Sequence, residues 1–187
     1  MKINEVFYSL QGEGYNVGTP AVFVRFSGCN LKCDFCDTDH MSGVEMSEEE
    51  IVEEVCKYPS DFVVLTGGEP SLQLTETLIG KLHSAGKRIA IETNGTHTLP
   101  EGIDWITCSP KNGGRLALSQ CDELKVVYEG QDMDQYENIR ASHYFLQPCD
   151  RKDQEKNTHN VRMVVGYCLL HPKWRISIQM HKVLDIR

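Results

Sequence analysis

Residues 21–38 read AVFVRFSGCNLKCDFCDT, an apolar run followed closely by three cysteines. The run at 21–26 predicts a strand, which places Cys29, Cys33 and Cys36 in the loop at its C-terminal end. Cys thiolates are the usual ligands of cubane iron–sulfur clusters. Three ligands leave one iron open to a small molecule, and the next cysteine is as distant as Cys56. This stretch therefore predicts a strand that ends in a cluster with one exchangeable site.

Zinc is the main alternative occupant of the cysteine loop. Structural zinc takes four ligands, typically from two separated pairs, and spacing alone leaves His40 open as the fourth. Disulfides need paired cysteines and an oxidising compartment. C-x3-C-x2-C is also the spacing of the radical S-adenosylmethionine (radical SAM) enzymes, and Phe35 places an aromatic ring beside the last cysteine. We therefore favour a cluster over zinc.

Composition narrows the class of protein. The chain has 187 residues, which predicts a single domain over 1–187 with a sizeable core. Its net charge is −8, from 27 acidic and 19 basic residues, which argues against a broad nucleic-acid surface. Apolar runs are too short to span a membrane, and the N-terminus lacks the apolar core of a secretory signal. We expect a cytoplasmic protein that binds neither nucleic acid nor membrane.

The remaining cysteines are scattered singly along the chain. They are Cys56, Cys108, Cys121, Cys149 and Cys168. In a reducing cytoplasm, buried free thiols are the simplest interpretation of such isolated residues.

Apolar runs alternate with helical patterns over most of the chain. Strands are predicted at 3–8, 21–26, 61–66, 88–93, 105–108, 123–128, 144–147 and 175–179. Helices are predicted from a Ser47 capping box to about Lys57, at about 74–84, at 134–140, and from Asn157 to Leu170. This alternation predicts an α/β fold with a mainly parallel sheet. A full eightfold barrel usually needs about 250 residues, so we expect a partial, open TIM-like barrel.

Polar and glycine-rich motifs follow several predicted strands. They are Gly67-Gly68-Glu69-Pro70, Glu92-Thr93-Asn94-Gly95 and Ser109-Pro110-Lys111. Open α/β sheets place their sites at the C-terminal ends of the strands, and glycine lets the backbone approach a ligand closely. The Gly67–Pro70 segment must also form a strand-to-helix turn. A further motif, Leu10-Gln11-Gly12-Glu13-Gly14, is by composition alone an ordinary turn.

The cysteine loop, Gly67–Pro70 and Glu92–Gly95 together resemble a radical SAM core. Five further motifs narrow the resemblance to the 7-carboxy-7-deazaguanine synthases, a ring-contracting family of queuosine and other deazapurine pathways. They are Leu10–Gly14, Cys36-Asp37-Thr38, Ser109–Lys111, Gln147-Pro148 and Gln179-Met180-His181-Lys182. The resemblance extends from Asn4 to Ile186. It implies conversion of 6-carboxy-5,6,7,8-tetrahydropterin to 7-carboxy-7-deazaguanine with loss of ammonia. Hydrogen abstraction by a 5′-deoxyadenosyl radical would start the reaction, and Mg²⁺ would assist the ring contraction.

The resemblance also implies the cofactors and their contacts. Cys29, Cys33 and Cys36 would hold a [4Fe–4S] cluster, and Thr38 would bind Mg²⁺. The implied SAM contacts are Phe35, Cys36, Asp37, Gly67, Gly68, Glu69, Gly95, Ser109, Pro110, Lys111, Gln147, Pro148, Cys149 and Asp150. The implied substrate contacts are Leu10, Gln11, Gly12, Arg25, Thr93, Gln179 and His181. No side chain would act as a catalytic group beyond the radical that SAM supplies.

The chemistry of these residues is consistent with the implied roles, but it also allows ordinary structural roles for some of them. Arg25 is either a surface residue of an alternating strand or a buried cation aimed at a carboxylate, which a guanidinium binds bidentately. The amides of Gln11 and Gln179 suit the edges of a pterin. Without the resemblance, Thr38 would be a loop residue or helix cap, and His181 a surface histidine. Phe35 stands where many relatives have Trp.

Two other functions share part of this pattern. Glycyl-radical activating enzymes have the same cysteine spacing but act on a protein, whereas the Gln11 loop and the tail at 179–182 indicate a small molecule. A non-catalytic iron–sulfur or zinc module is the third possibility, and bound zinc, or a cluster that never binds SAM, would favour it. For the favoured family we expect a pterin substrate, an electron donor such as flavodoxin or ferredoxin, and a homodimer.

Overall fold

The computed structural model describes residues 1–36, 38–111 and 113–187. Its strands are β1 Lys2–Leu10, β2 Pro20–Phe26, β3 Val44–Glu45, β4 Phe62–Gly67, β5 Arg88–Thr93, β6 Trp105–Cys108, β7 Gln120–Tyr128, β8 Arg140–Pro148 and β9 Trp174–Ile176. Its helices are α1 Glu48–Cys56, α2 Glu76–Ser84, α3 Gln154–Leu170 and α4 Met180–Leu184, with short 3-10 turns at Pro70–Leu72 and Asp134–Tyr136.

The nine strands that the structure describes form one sheet in the order β3-β1-β2-β4-β5-β6-β7-β8-β9. β1 runs antiparallel to both β2 and β3, and every pairing from β2 to β9 is parallel. β3 and β9 are the two edges of the sheet and do not pair with each other. The predicted open, mainly parallel barrel is therefore confirmed.

Apolar side chains cover both faces of the central strands. Helices α1 and α2 pack on one face around Val24, Leu65 and Leu78, all fully buried. α3 covers the same face farther along the sheet, where its Val164 belongs to a second buried cluster. The opposite, concave face carries a third cluster that includes Phe23. Burial on both faces explains why the strand sequences are nearly continuous apolar runs.

Most predicted elements are present, with shifted ends. The capping box is confirmed, since the Ser47 and Glu50 side chains each accept from the other residue's backbone N–H. The predicted helix at 134–140 is wrong. Only Asp134–Tyr136 forms a 3-10 turn, because Arg140 already pairs with β7 at the start of β8.

The C-terminal predictions also need correction. Asp153, not Asn157, caps α3, and its carboxylate accepts from the backbone N–H groups of Glu155 and Lys156. The last strand ends at Ile176 instead of 179, and helix α4 was not predicted. Neither change alters the fold class.

The cysteines outside the 29–36 loop are all free, as expected. Cys108 and Cys149 are buried, and Cys121 and Cys168 are half-buried. Cys56 is exposed, which contradicts the expectation of burial, because it ends α1 on the solvent side. Among the helices that the structure describes, none is long and apolar enough to cross a membrane.

Candidate active site

A cavity of about 620 Å³ opens on the concave side of the sheet, within the usual size range of small-molecule sites. The loops after β1, β2, β4, β5, β6 and β8 and the helix α4 contribute to its walls. Of the sequence-predicted site residues, those lining it are Leu10, Gln11, Gly12, Arg25, Cys29, Cys33, Phe35, Cys36, Thr38, Gly67, Gly68, Thr93, Ser109, Lys111, Gln147, Pro148, Cys149, Asp150, Gln179 and His181. Glu69, Gly95 and Pro110 lie outside the lining, and Asp37 lies outside the described residues.

The three thiols of the cysteine loop face this one cavity. Burial is the main cause that raises the pKa of Cys33, the charges of Cys36 and Cys29 raise it further, and the nearby Lys111 opposes them. Over residues 1–36, 38–111 and 113–187, no three His, Cys, Asp or Glu side chains converge as they would around a single metal ion. A cubane is wider than one ion and accepts soft thiolates, so the loop fits a cluster better than zinc bound with His40.

The two glycines of the Gly67–Pro70 turn pack directly against the cysteine loop. Gly68 N–H donates to the Phe26 carbonyl at 3.0 Å, and Glu69 N–H donates to the Gly28 carbonyl at 2.8 Å. A Cβ on Gly68 would overlap the Gly28 carbonyl, and Gly67 has φ +131° and would overlap the Phe26 backbone. Glycine is therefore required here for backbone packing that holds the start of the cysteine loop in place.

Glu69 is fully buried below the cavity and joins the ends of β4 and β5. Its carboxylate accepts from Thr93 Oγ1 at 2.7 Å and from the Asn94 backbone N–H at 2.7 Å. It also accepts from the Ser71 N–H at 3.1 Å. These bonds show a supporting role for the Glu69 side chain, beneath the loop that carries the cavity-lining Thr93.

An ionic network that was not predicted from the sequence lies at the centre of the site. Lys125 on β7 is buried, and its Nζ lies 2.6 Å from Glu13 Oε2 and 3.5 Å from Glu92 Oε1. Burial raises the pKa of Glu13, but the charge of Lys125 and hydrogen bonds from Lys125 and Gln179 outweigh it and lower that pKa to about 2. Glu13 and Lys125 are therefore both charged at neutral pH, since burial lowers the pKa of Lys125 but the neighbouring acids outweigh it and raise that pKa. The sequence feature that could have indicated this network is Lys125, a charged residue within the apolar strand predicted at 123–128.

The glutamines of the predicted site are oriented by these two acids. Gln11 Nε2 donates to Glu92 Oε1 at 2.9 Å. Gln147 Nε2 and Gln179 Nε2 donate to Glu13 Oε1 at 3.0 and 2.9 Å. Glu13 thus orients the amides of Gln147 and Gln179, and Glu92 orients the amide of Gln11.

Of the two interpretations of Arg25, the structure supports the second, a cation directed at a carboxylate. It is half-buried, and its Nε donates to Glu5 Oε1 at 2.9 Å. Its Nη1 lies 3.5 Å from Thr38 Oγ1, and the guanidinium lies 5.6 Å from the Phe7 ring centre. The predicted carboxylate-binding residue and the predicted Mg²⁺ ligand are therefore neighbours.

His181 lies in the cavity wall and not on the open surface. The Met180 N–H donates to the Gly12 carbonyl at 2.8 Å, which brings α4 against the loop that follows β1. A Cβ on Gly12 would overlap the His181 ring, so glycine is required for this contact. The C-terminal segment thus completes the site.

An open parallel sheet with a three-cysteine loop after its first parallel strand, and a glycine turn packed beneath that loop, defines the radical SAM class. Sequence comparison agrees, since the family model described as the radical SAM superfamily matches residues 23–113.

Comparison with individual proteins narrows the class. A 7-carboxy-7-deazaguanine synthase of Bacteroides thetaiotaomicron is 59% identical over 100% of this chain and 98% of its own length. The protein of that name from Bradyrhizobium diazoefficiens is 40% identical over 99% of this chain and 98% of its own length. The crystal structure of QueE from Escherichia coli superposes with a TM-score of 0.77 at 30% identity, covering 96% of this chain and 94% of that one. The chain belongs to the 7-carboxy-7-deazaguanine synthase family.

Proposed function

We propose that this chain converts 6-carboxy-5,6,7,8-tetrahydropterin to 7-carboxy-7-deazaguanine with loss of ammonia. The observation that carries the proposal is the shared cavity, which the three thiols of the cysteine loop line together with Arg25 and Thr38. A radical source and a carboxylate-binding group thus face the same small volume. The membership of the family agrees with this chemistry.

Cys29, Cys33 and Cys36 are the proposed ligands of the [4Fe–4S] cluster. When bound, the cluster and SAM supply the 5′-deoxyadenosyl radical that removes hydrogen from C6 of the substrate. The role of the chain in this step is to bind SAM and to orient it. The proposed lining contacts are Phe35, Cys36, Gly67, Gly68, Ser109, Lys111, Gln147, Pro148, Cys149 and Asp150. Glu69, Gly95 and Pro110 would act from behind this lining, and Asp37 remains a prediction.

Arg25 and Thr38 are proposed to bind the carboxylate end of the substrate. The guanidinium offers two parallel donors to a carboxylate, and the Thr38 hydroxyl, 3.5 Å from it, offers an oxygen to Mg²⁺. Magnesium usually keeps several waters, so the Thr38 oxygen together with substrate oxygens would be enough to hold it. Glu5 now bonds to Arg25 and would have to share it with the substrate.

The ring of the substrate is proposed to lie against Leu10, Gly12 and Thr93. The amides of Gln11 and Gln179 would pair with its polar edge, and His181 would close the pocket from α4. Since Glu13 and Glu92 fix both amides, recognition requires little reorganisation on binding.

The direct test is product formation by the reconstituted protein. Anaerobic incubation with SAM, dithionite and the tetrahydropterin should yield 7-carboxy-7-deazaguanine and ammonia. Cys33→Ala should lose both cluster absorbance and SAM cleavage, whereas the exposed Cys56→Ala should retain them. Bound zinc in place of iron, or SAM cleavage without the deazapurine, would contradict the proposal.

Thr38 separates this reaction from those of other radical SAM enzymes. We expect Thr38→Ala to keep the cluster and to bind SAM, because neither property involves Mg²⁺. The variant should lose turnover and the response of turnover to Mg²⁺. Thr38→Ser should retain part of the activity, since it keeps the hydroxyl. The measurement is product formation against Mg²⁺ concentration for the three proteins. Equal dependence in wild type and Thr38→Ala would remove Thr38 from the metal site.

The reaction uses a small-molecule substrate and a reductant. We propose a flavodoxin or ferredoxin as the electron donor, a homodimer as the assembly and the cytoplasm as the location. We also propose that residues 1–187 form one domain, because one continuous sheet carries the nine strands of the described residues.

A further inference from the structure

Arg151 links the cysteine loop to the opposite side of the open barrel. Its Nε and Nη2 donate to the two carboxylate oxygens of Glu129 at 2.6 Å each, a bidentate pair. Its Nη1 donates to Asp34 Oδ2 at 2.8 Å, and its guanidinium lies 5.8 Å from the Phe35 ring centre. One guanidinium therefore holds Glu129, just beyond the end of β7, and two consecutive residues between Cys33 and Cys36.

The backbone that carries Arg151 is held in place by the start of α3. The Arg151 N–H donates to Asn157 Oδ1 at 2.8 Å, and Asn157 Nδ2 donates to Asp150 Oδ1 at 2.8 Å. The buried Asn160 donates to the Cys149 carbonyl at 2.8 Å. The guanidinium thus projects from a fixed loop, which reduces the entropy lost when it binds Asp34.

The position of this contact follows from the topology. β2, which precedes the cysteine loop, is separated from β8, which precedes the Arg151 loop, by four strands. Because the sheet does not close, no strand pairing within the described parts of the chain joins β2 directly to β8. Asp34 and Arg151 are 117 residues apart in the chain, yet they touch across the opening.

We propose that Arg151, Asp34 and Glu129 form a clasp that closes the open side of the barrel over the SAM site and positions Phe35 and Cys36 for the cofactor. Arg151 is a positioning residue in this assignment, since it acts through the cysteine loop. Opening the clasp should make the cysteine loop more mobile and weaken the binding of SAM. The Arg25 side of the cavity should stay unchanged.

The loop itself offers a readout that is independent of turnover. Lys32 is exposed within the cysteine loop and is a trypsin site. In the full-length chain before cluster reconstitution, Asp34→Asn and Arg151→Gln should each speed cleavage after Lys32 about threefold or more. Asp34 is exposed, so its replacement is not expected to unfold the chain. The matched control is Arg162→Gln, an exposed arginine on α3 outside the clasp, which should cleave at the wild-type rate.

Two further measurements of cleavage after Lys32 test the contact between Asp34 and Arg151: the rate in the double variant and the dependence of the rate on salt. The double variant should cleave no faster than the faster single variant, since either change alone opens the clasp. Raising the salt concentration should speed cleavage of wild type more than of Asp34→Asn, because partly exposed ion pairs are screened. Cleavage after Lys32 at the control rate in both single variants, or fully additive effects in the double variant, would overturn the clasp.

The SAM arm of the inference rests on the proposed function. After anaerobic reconstitution, the dissociation constant for SAM, followed by the change in the spectrum of the reduced cluster, should rise at least threefold in Asp34→Asn. The KM for the pterin should stay unchanged. An unchanged dissociation constant together with faster cleavage would reject the positioning role. A protein that binds SAM but makes no product would contradict the proposed function and leave the proteolysis result standing.

Discussion

At the scale of single residues, Arg25 carries the sharpest prediction for the substrate. A charge-assisted hydrogen bond contributes about 1.5–3 kcal/mol, and 1.4 kcal/mol corresponds to about a factor of ten in affinity. Arg25→Ala should therefore weaken substrate binding at least about tenfold with little change in SAM binding. Arg25→Lys should not restore it fully, because a point charge lacks the planar fork. Titrations of the reconstituted protein with each ligand measure both effects.

Glu5 provides the control for Arg25. Glu5→Gln removes the charge that now binds Arg25 at 2.9 Å but leaves the guanidinium in place, so substrate binding should not weaken. If Arg25→Ala bound substrate normally but unfolded at lower urea concentration, the role of Arg25 would be structural.

At the scale of secondary-structure elements, Glu69 determines how the ends of β4 and β5 meet. It is fully buried and accepts three hydrogen bonds within one turn and across to the neighbouring strand end. Hydrogen bonds to charged groups contribute about 1.5–3 kcal/mol each, and truncation would leave the Thr93 and Asn94 donors unpaired. We expect Glu69→Ala to lower the free energy of unfolding by about 3 kcal/mol or more.

Urea denaturation of the full-length chain measures this effect. Glu101→Ala is the matched control, since Glu101 is an exposed loop residue, and its replacement should change stability by less than about 0.5 kcal/mol. Similar unfolding midpoints for the two variants would show that Glu69 does not join the strand ends.

At the scale of the whole molecule, the Glu13–Lys125 pair ties the loop after β1 to the centre of the sheet. The pair lies 112 residues apart in sequence and 2.6 Å apart in space. The folded-state pKa of Glu13 is lowered to about 2, below its ordinary value of 4.5. A lowered pKa means that its contribution to stability is complete above about pH 4.5 and is lost as the pH falls towards 2.

This sign gives a pH-dependent prediction. Glu13→Gln should be less stable than wild type at pH 5, and the difference in unfolding free energy should shrink steadily as the pH falls to about 2.5. Urea melts of both proteins at several pH values provide the measurement, with Glu101→Gln as the control for an exposed carboxyl. A difference that stays constant over this range would show that Glu13 is not the titrating group.

Features that arise between residues close together in the chain could be predicted from the sequence. The Ser47 capping box, the apolar strands and the order of motifs at strand ends are local patterns, so they could be predicted before the structure. The predicted thiols, Arg25 and Thr38 do line one cavity, because parallel strands deliver their C-terminal loops to the same edge.

Contacts between segments that are distant in the chain became visible only in the folded structure. The Glu13–Lys125 and Asp34–Arg151 ion pairs each join residues more than a hundred positions apart, and no local pattern encodes such a pairing. The segment at 134–140 has a helical pattern, yet pairing with β7 draws Arg140 into β8. Gly67 and Gly68 are needed because the backbone of Phe26 at the end of β2 lies against Gly67, and the backbone of Gly28 at the start of the cysteine loop lies against Gly68. In each case the deciding energy comes from long-range packing and buried charge, which exist only once the chain has folded.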